Sequence, residues 1–387
     1  MKKVYVDNGA TSFPKAPGVS DAIKDFLDNV GCNINRGGYE SSYNAALDVL
    51  NTRKLLCKMF NFNEPRNVVF TPSITYSLNM IAKGFLKSGD HVITTSMEHN
   101  GLMRPLYELT KLGIKYDVVK CSNDGSLDPK DVAEFINTNT KAVFMTHASN
   151  VCGTVLPIYD VSEICKKYGI RLIIDSAQTA GVLQLDMEYI DALAFTCHKG
   201  LLASQGLGGF IVKNDFAKQI KPIITGGTGS MSNEIMQPAI MPDRFESGTM
   251  NIPAIMGLKK SLEYINSVGI NVIHEKEMKL AEKFIAEINE IQGINIIGKR
   301  DIKDRIAVVS LDFVNEDNAE MATLLDSDYG VMTRCGLHCA PNAHRTLQTY
   351  PHGTVRFSFG CFNSADEIDY IIKSIKDMIK RGERSGF

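Results

Sequence analysis

The run Arg171-Leu172-Ile173-Ile174-Asp175 decides the fold. Three consecutive apolar residues between two charged ends make the pattern of a strand covered on both faces. Runs of the same texture surround it. His91–Thr95, Lys115–Val119, Lys141–Thr146, Ala192–Thr196 and Gly209–Val212 predict strands, and helical patterns separate them near Gly101–Leu112, Asp128–Ile136 and Tyr159–Tyr168. Strand, helix, strand in repetition predicts an α/β fold with a mainly parallel sheet flanked by helices. In such sheets ligands collect at the carboxyl ends of the strands, so Asp175 points toward the expected site.

Past Phe245–Asn251 the texture changes. Helical patterns run from about Pro253 to Asn266 and from His274 to Glu290, followed by strands at Ile306–Val314 and Thr354–Phe359 and a closing helix near Ala365–Lys380. The expected organisation is an N-terminal segment, 1–14, packing with a small domain; a large domain, 15–253; and a smaller C-terminal α+β domain, 254–387. The charges nearly cancel, 42 Lys and Arg against 44 Asp and Glu. With no block of like charge, the electrostatic case for a nucleic-acid partner or an anionic membrane surface is removed. No apolar run approaches the roughly 20 residues of a spanning helix, and the stretch after Met1-Lys2-Lys3 is too short for a secretory signal. Nine scattered cysteines do not form a disulfide framework. A reducing cytoplasm is the expected setting.

Chemistry is expected where two strands end together. Thr196-Cys197-His198-Lys199 follows one strand and precedes the glycine-containing Ser204–Gly209; Asp175 ends the previous strand. Parallel neighbours joined by one crossover place their carboxyl ends side by side. An aspartate and a lysine meeting there form either a plain ion pair or the two anchors of one aromatic cofactor. A pyridine ring needs an acid at its nitrogen and a lysine at its aldehyde, and a lysine in a low-polarity cleft becomes a carbonyl-capturing amine.

The chain resembles the class V, fold-type I pyridoxal 5′-phosphate (PLP) enzymes, most closely the group-II, NifS/SufS-like cysteine desulfurases. The resemblance is carried by Tyr5–Ser12, Asn35-Arg36-Gly37, Met97-Glu98-His99-Asn100, Ser149–Thr154, Asp175–Gln178, His198-Lys199, Phe245–Thr249, Arg334–Ala340 and Gly353–Arg356, in family order over nearly the whole chain. It implies a large domain with a mainly parallel seven-stranded sheet. It also implies that Lys199 forms a Schiff base with PLP, that Asp175 pairs with the pyridinium nitrogen, that Gln178 bonds the ring hydroxyl and that His99 lies on the ring face. Thr75, Thr196 and His198 are expected to hold the phosphate, helped by a helix N-terminus near Ile74. Thr249 is expected to reach the phosphate of the other subunit, which makes a homodimer part of the reading. Asn150, Arg356, Arg334 and Asn35 are expected at the substrate, with Arg356 making a two-pronged bond to its carboxylate. Bland readings stand beside these: His99 as a core histidine, Thr75 and Thr249 as caps, Arg356 alternating outward to water.

The resemblance makes Cys339 the acceptor of sulfur from L-cysteine, forming a persulfide while alanine leaves. Its tract, Arg334-Cys335-Gly336-Leu337-His338-Cys339-Ala340-Pro341, is polar, cationic and glycine-containing, as a loop would be, and cationic neighbours favour the attacking thiolate. The match departs from the family at Cys335, which replaces a threonine, and at Leu337, which replaces a histidine. It departs again at Thr71-Pro72-Ser73-Ile74-Thr75 and at Asn100. Cys335 could resolve the persulfide, relay it, or pack inertly. Selenocysteine is the nearest competing substrate, and another class V PLP activity is a further possibility. From a different class comes a zinc-stabilised, non-catalytic binding protein using Cys335, His338, Cys339, His344 and His352. The PLP reading needs no metal, and it leaves the sulfur acceptor, a protein or a small thiol, unnamed.

Overall fold

The computed structural model describes residues 2–34 and 37–385. The chain begins with β1 (Val4–Tyr5), α1 (Val19–Asp25) and the long α2 (Glu40–Met59). An alternating section follows: β2 (Val68–Thr71), α3 (Ile74–Phe85), β3 (His91–Thr95), α4 (Asn100–Thr110), β4 (Lys115–Val119), α5 (Pro129–Glu134), β5 (Thr140–Thr146) and α6 (Ile158–Tyr168). It closes with β6 (Arg171–Asp175), β7 (Ala192–Thr196), β8 (Gly208–Val212) and the short α7 (Asn214–Ala217). After a long connection come α8 (Ile252–Val268), α9 (Ile270–Asn289), β9 (Ile294–Ile297), β10 (Val308–Phe313), α10 (Asn318–Tyr329) and β11 (Val331–Met332). The last elements are β12 (Arg334–Gly336), α11 (Pro341–Thr346), β13 (Thr354–Ser358) and α12 (Ala365–Ser385).

Seven strands form the main sheet in the order β2-β8-β7-β6-β5-β3-β4. Five neighbours, β7 to β4, run parallel; β8 runs opposite to both β7 and β2. Every residue of β3, β7 and β8 is buried, as helices on both faces require. At the open edge, β4 exposes Lys115 and Asp117, charges that discourage pairing with a further strand. Helix starts are written locally: Asp128 accepts from Lys130 N, Ser73 from Tyr76 N, and Asp317 from Ala319 N and Glu320 N, satisfying amides that helix geometry orphans. Gly208 is required by close approach, since a Cβ there would lie 2.8 Å from Ile74 N. Its absence lets the start of α3 rest against the carboxyl end of β7.

A second, antiparallel sheet, β12-β13-β10-β9, packs against α9, α10 and α12 around Phe284, Val309, Leu325, Phe357 and Ile371. Helix α8 instead joins the core of the main sheet through Ile255, Leu258 and Leu262. The N-terminal segment is tied to the C-terminal part: β1 pairs in parallel with β11, and Asp7 bridges Ser358. One expectation is corrected. The tract from Arg334 is not all loop, because Arg334–Gly336 forms strand β12 against β13, with Arg334 opposite Arg356. β12 satisfies a backbone edge that β13 would otherwise leave open.

Candidate active site

Parallel pairing of β6 and β7 sets Asp175 opposite Ala194, and the turn after β7 carries Lys199. Asp175 is 4% exposed; its Oδ1 accepts from Ala177 N at 2.9 Å. Burial raises its pKa, against the lowering effects of the Ala177 N–H and of Lys199. The Lys199 amine is pushed down to about 8, chiefly by burial and then by the Arg356 charge, with Asp175 pulling the other way. The two groups thus act on each other electrostatically, yet no salt bridge joins them among the described residues. The plain ion-pair reading fails on that point.

His99 is the N-cap of α4. Its Nδ1 accepts from Gly101 N at 2.9 Å, so the ring proton is assigned to Nε2. Burial, then the charges of Lys199, Arg334, Arg356 and Arg104, lower its pKa to about 4. His99 is therefore a neutral, fixed ring at pH 7. Behind it lies Glu98, fully buried, with Oε1 accepting from Thr95 Oγ1 at 2.6 Å and Thr146 N at 3.0 Å. Burial pushes this carboxyl up to about 8, so at neutral pH it is mostly uncharged.

Arg356 was open to an outward reading; the structure overturns it. The side chain is 2% exposed, Nη2 pairs with Asp7 Oδ1 at 2.7 Å and Nη1 donates to Asn150 O at 3.1 Å. The isolated reading of a β-strand alternation missed that β13 is covered on both faces. Asn150 Nδ2 donates to His338 O at 2.8 Å, and Asn100 N donates to Cys339 O at 2.7 Å. These bonds bring the Cys339 turn to the His99 end of the cleft. Cys339 is exposed and its φ is +57°, a left-handed conformation uncommon for a residue with a Cβ. The segment 150–153 is held just as firmly: Ser310 Oγ donates to Val151 O, Arg305 Nη2 to Cys152 O and Ile306 N to Gly153 O.

Gln178 Nε2 donates to Gly9 O at 3.0 Å, anchoring the side chain to the N-terminal segment. Thr196 is buried at the end of β7, and Thr75 is exposed in the first turn of α3. Arg334 is exposed on β12. Thr249 does not join this group within the chain; it is exposed and lines a separate cavity with Tyr76, Gly206 and Glu246. Asn35 lies outside the described residues. Sequence reasoning missed Asp7 as the partner of Arg356, Glu98 as a buried acid, and Lys15. The Lys15 ammonium donates to Thr11 Oγ1, Ser12 Oγ and the carbonyl of His198, and burial lowers its pKa to about 8. Only Asp7 and Glu98 carried a signal, as members of quoted motifs.

The cleft suits PLP on two counts. Asp175 is a buried carboxylate with no bonded cation, which a pyridinium N–H would supply. His198 Nδ1 and Arg356 Nε are buried polar atoms without a partner, positions that an anionic ligand can satisfy. The zinc alternative finds no ligand set: among the described residues no three His, Cys, Asp or Glu side chains gather to hold a metal. His338 and His344 instead bond Thr354 and Thr349.

The sequence profile of class-V aminotransferases matches residues 4–371. A probable cysteine desulfurase of Pyrococcus abyssi is 30% identical over 97% of this chain and 94% of its own length. Another, from Methanothermobacter thermautotrophicus, is 29% identical over 98% and 95%. Among solved structures, the apo cysteine desulfurase from Thermococcus onnurineus NA1 superposes with a TM-score of 0.92 at 30% identity, covering 98% of this chain and 95% of that one. The S-sulfonic acid form of an Escherichia coli cysteine desulfurase shares the fold, with a TM-score of 0.88 at 24% identity over 98% and 95%. With the profile spanning nearly the whole chain and the cleft suited to that family's cofactor, the chain belongs to the class-V aminotransferase family of PLP-dependent enzymes, on its cysteine desulfurase branch.

Proposed function

We propose that the protein is a homodimeric PLP-dependent cysteine desulfurase that converts L-cysteine to L-alanine and leaves the removed sulfur on Cys339. One observation carries the reading: Lys199, past the end of β7, acts electrostatically on both Asp175 and His99, and Asn100, next to His99, holds the turn that carries an exposed thiol. Lys199 and Asp175 would hold PLP, which when bound would supply an electron sink for the substrate's Cα.

The residues divide the remaining work. Arg356 binds the substrate carboxylate, with Asn150, Arg334 and Asn35 completing its surroundings. Thr75, Thr196 and His198 hold the phosphate, and the N-terminus of α3 adds its dipole. Gln178 holds the ring hydroxyl. Lys199 Nζ, with its lowered affinity for protons, takes and returns the proton at Cα. His99 offers a flat neutral face and an Nε2 proton. The Cys339 thiolate attacks the substrate's Sγ; an S–S bond forms, the Cβ–S bond breaks, and Cβ takes a proton to become the methyl group of alanine. Cys335, half-buried on β12 with its pKa raised mainly by burial, is assigned the inert packing role. Thr249, exposed and lining a cavity with Pro72 and Tyr76, is assigned to the partner's phosphate. Exposed Ile224, Ile235, Met236 and Ile240 in the same region support a covering second copy. The described residues contain no helix long and apolar enough to cross a membrane. All nine cysteines are free thiols, which supports work in the cytoplasm.

The test is turnover of L-cysteine by wild type and Cys339→Ala, with alanine quantified and Cys339 examined by mass spectrometry for one added sulfur. Wild type is expected to release alanine and carry the sulfur; the variant keeps its yellow cofactor and loses alanine formation. Full activity in the variant would refute the nucleophile assignment. The same pair of proteins on L-selenocysteine separates the competing substrate, since a lyase acting on a selenol retains turnover without the thiol.

A further inference from the structure

Cys339 lines a groove of about 330 Å³ between α3 and α4, whose walls include Thr75, Lys83, His99, Arg104 and Glu108. That volume lies within the range of small-ligand sites, about 300–1,000 Å³. The charges lining the groove are not balanced. Glu108, the one acid, is paired at 2.7 Å with Lys111, just past the end of its helix. Lys83 and Arg104 are exposed, and neither has an ion-pair partner among the described residues. Arg104 also acts electrostatically on His99, one of the site residues. The groove thus offers two uncommitted cations beside the thiol. None of the proposed cofactor and substrate roles uses them.

The Cys339 turn is already in place. Its carbonyl is bonded by Asn100 N and the preceding carbonyl by Asn150 Nδ2, while its side chain faces solvent. An acceptor therefore reaches the sulfur without a partner having to pry the turn open. From these features, and resting on the cysteine desulfurase reading, we propose that the α3–α4 groove is the sulfur-acceptor site and that it takes a small thiol carrying a carboxylate or sulfonate. The acceptor thiolate attacks the outer sulfur of the Cys339 persulfide. A new S–S bond forms on the acceptor, the old one breaks, and its electron pair returns to Cys339 as thiolate. The acceptor leaves as a persulfide, and no outside oxidant or reductant is consumed. Lys83 and Arg104 hold the acceptor's anionic end while its thiol approaches.

The experiment loads the holoenzyme by one turnover of L-cysteine, quantifies the Cys339 persulfide by mass spectrometry, and follows its discharge per loaded site. The probes are 2-mercaptoethanesulfonate, 2-mercaptoethanol and cysteamine, each normalised to its rate with a small-molecule persulfide. In wild type the sulfonate is expected to outpace the cationic thiol by roughly tenfold at low salt, and added salt should erase the gap. In Lys83→Gln/Arg104→Gln the ratio falls to near one, and Arg104→Glu, a reversal at an exposed position, inverts it. A ratio unchanged by these substitutions overturns the groove assignment. So does a persulfide that none of the three thiols discharges, which points to a protein acceptor. Absence of persulfide on Cys339 after turnover overturns the desulfurase reading itself, so the two failures are told apart.

Discussion

The seat of Lys199 and Asp175 and the turn of Cys339 are secured in different ways. The seat is a product of the sheet: parallel pairing of β6 with β7 fixes where both strands end, and all of β7 is buried. The turn is fastened by individual hydrogen bonds from Asn100 and Asn150 and projects an exposed thiol from a left-handed backbone. The first tolerates little change in electrostatics because its groups are desolvated. The second depends on a few separable contacts, each worth on the order of 1 kcal/mol. In the proposed function, chemistry on the cofactor falls to the rigid part and the sulfur hand-over to the part that reaches water.

Attacking the seat gives the largest effect. Asp175→Asn keeps the shape and removes the charge, and alanine formation is expected to fall by roughly 10²–10⁴-fold with the backbone fold intact by circular dichroism. A loss below threefold would show that the ring nitrogen needs no carboxylate. A tenfold effect is expected from pH. Lys199, at about 8, captures an aldehyde only as the neutral amine, and that fraction rises with pH. Between pH 7 and 9 the initial rate of PLP uptake by apo protein should climb about tenfold, with its midpoint near the lysine's value. A rate still rising beyond pH 10 would mean that burial does not depress this amine. Loosening the turn gives the smallest effect. Asn150→Ala removes the bond to His338 O, and sulfur transfer to Cys339 in a single turnover should slow about fivefold; PLP affinity should stay unchanged. Equal losses in both would erase the contrast between seat and turn.

Much of this contrast was legible in the sequence, and for physical reasons. Arg171–Asp175 and Ala192–Thr196 reappear as strands with the expected bounds, because an unbroken apolar run has few other ways to be buried. The nearness of Asp175 and Lys199 followed from where their strands end, whereas their cofactor roles came from the resemblance. The Arg334 tract was read as loop because its residues are polar. Its strand identity comes from pairing with β13, a contact distant in sequence. The Arg356 partner was equally hidden, since Asp7 and Arg356 lie at opposite ends of the chain and long-range contacts, the β1–β11 pairing and the Asp7–Ser358 bridge among them, bring the first segment across. Lys83 and Arg104 look like ordinary helix-surface charges until α3 and α4 lie side by side with Cys339 between them.

The Asp7–Arg356 pair ties the pocket to the chain's first segment. The guanidinium assigned to the incoming amino acid already grips a carboxylate belonging to the protein, while its Nε is without a partner among the described residues. Half of that cation's charge is answered from within and one donor is kept in hand. The residue that answers it sits where the first segment bridges Ser358 of β13, so the charge of the pocket depends on how the two ends of the chain are stitched together.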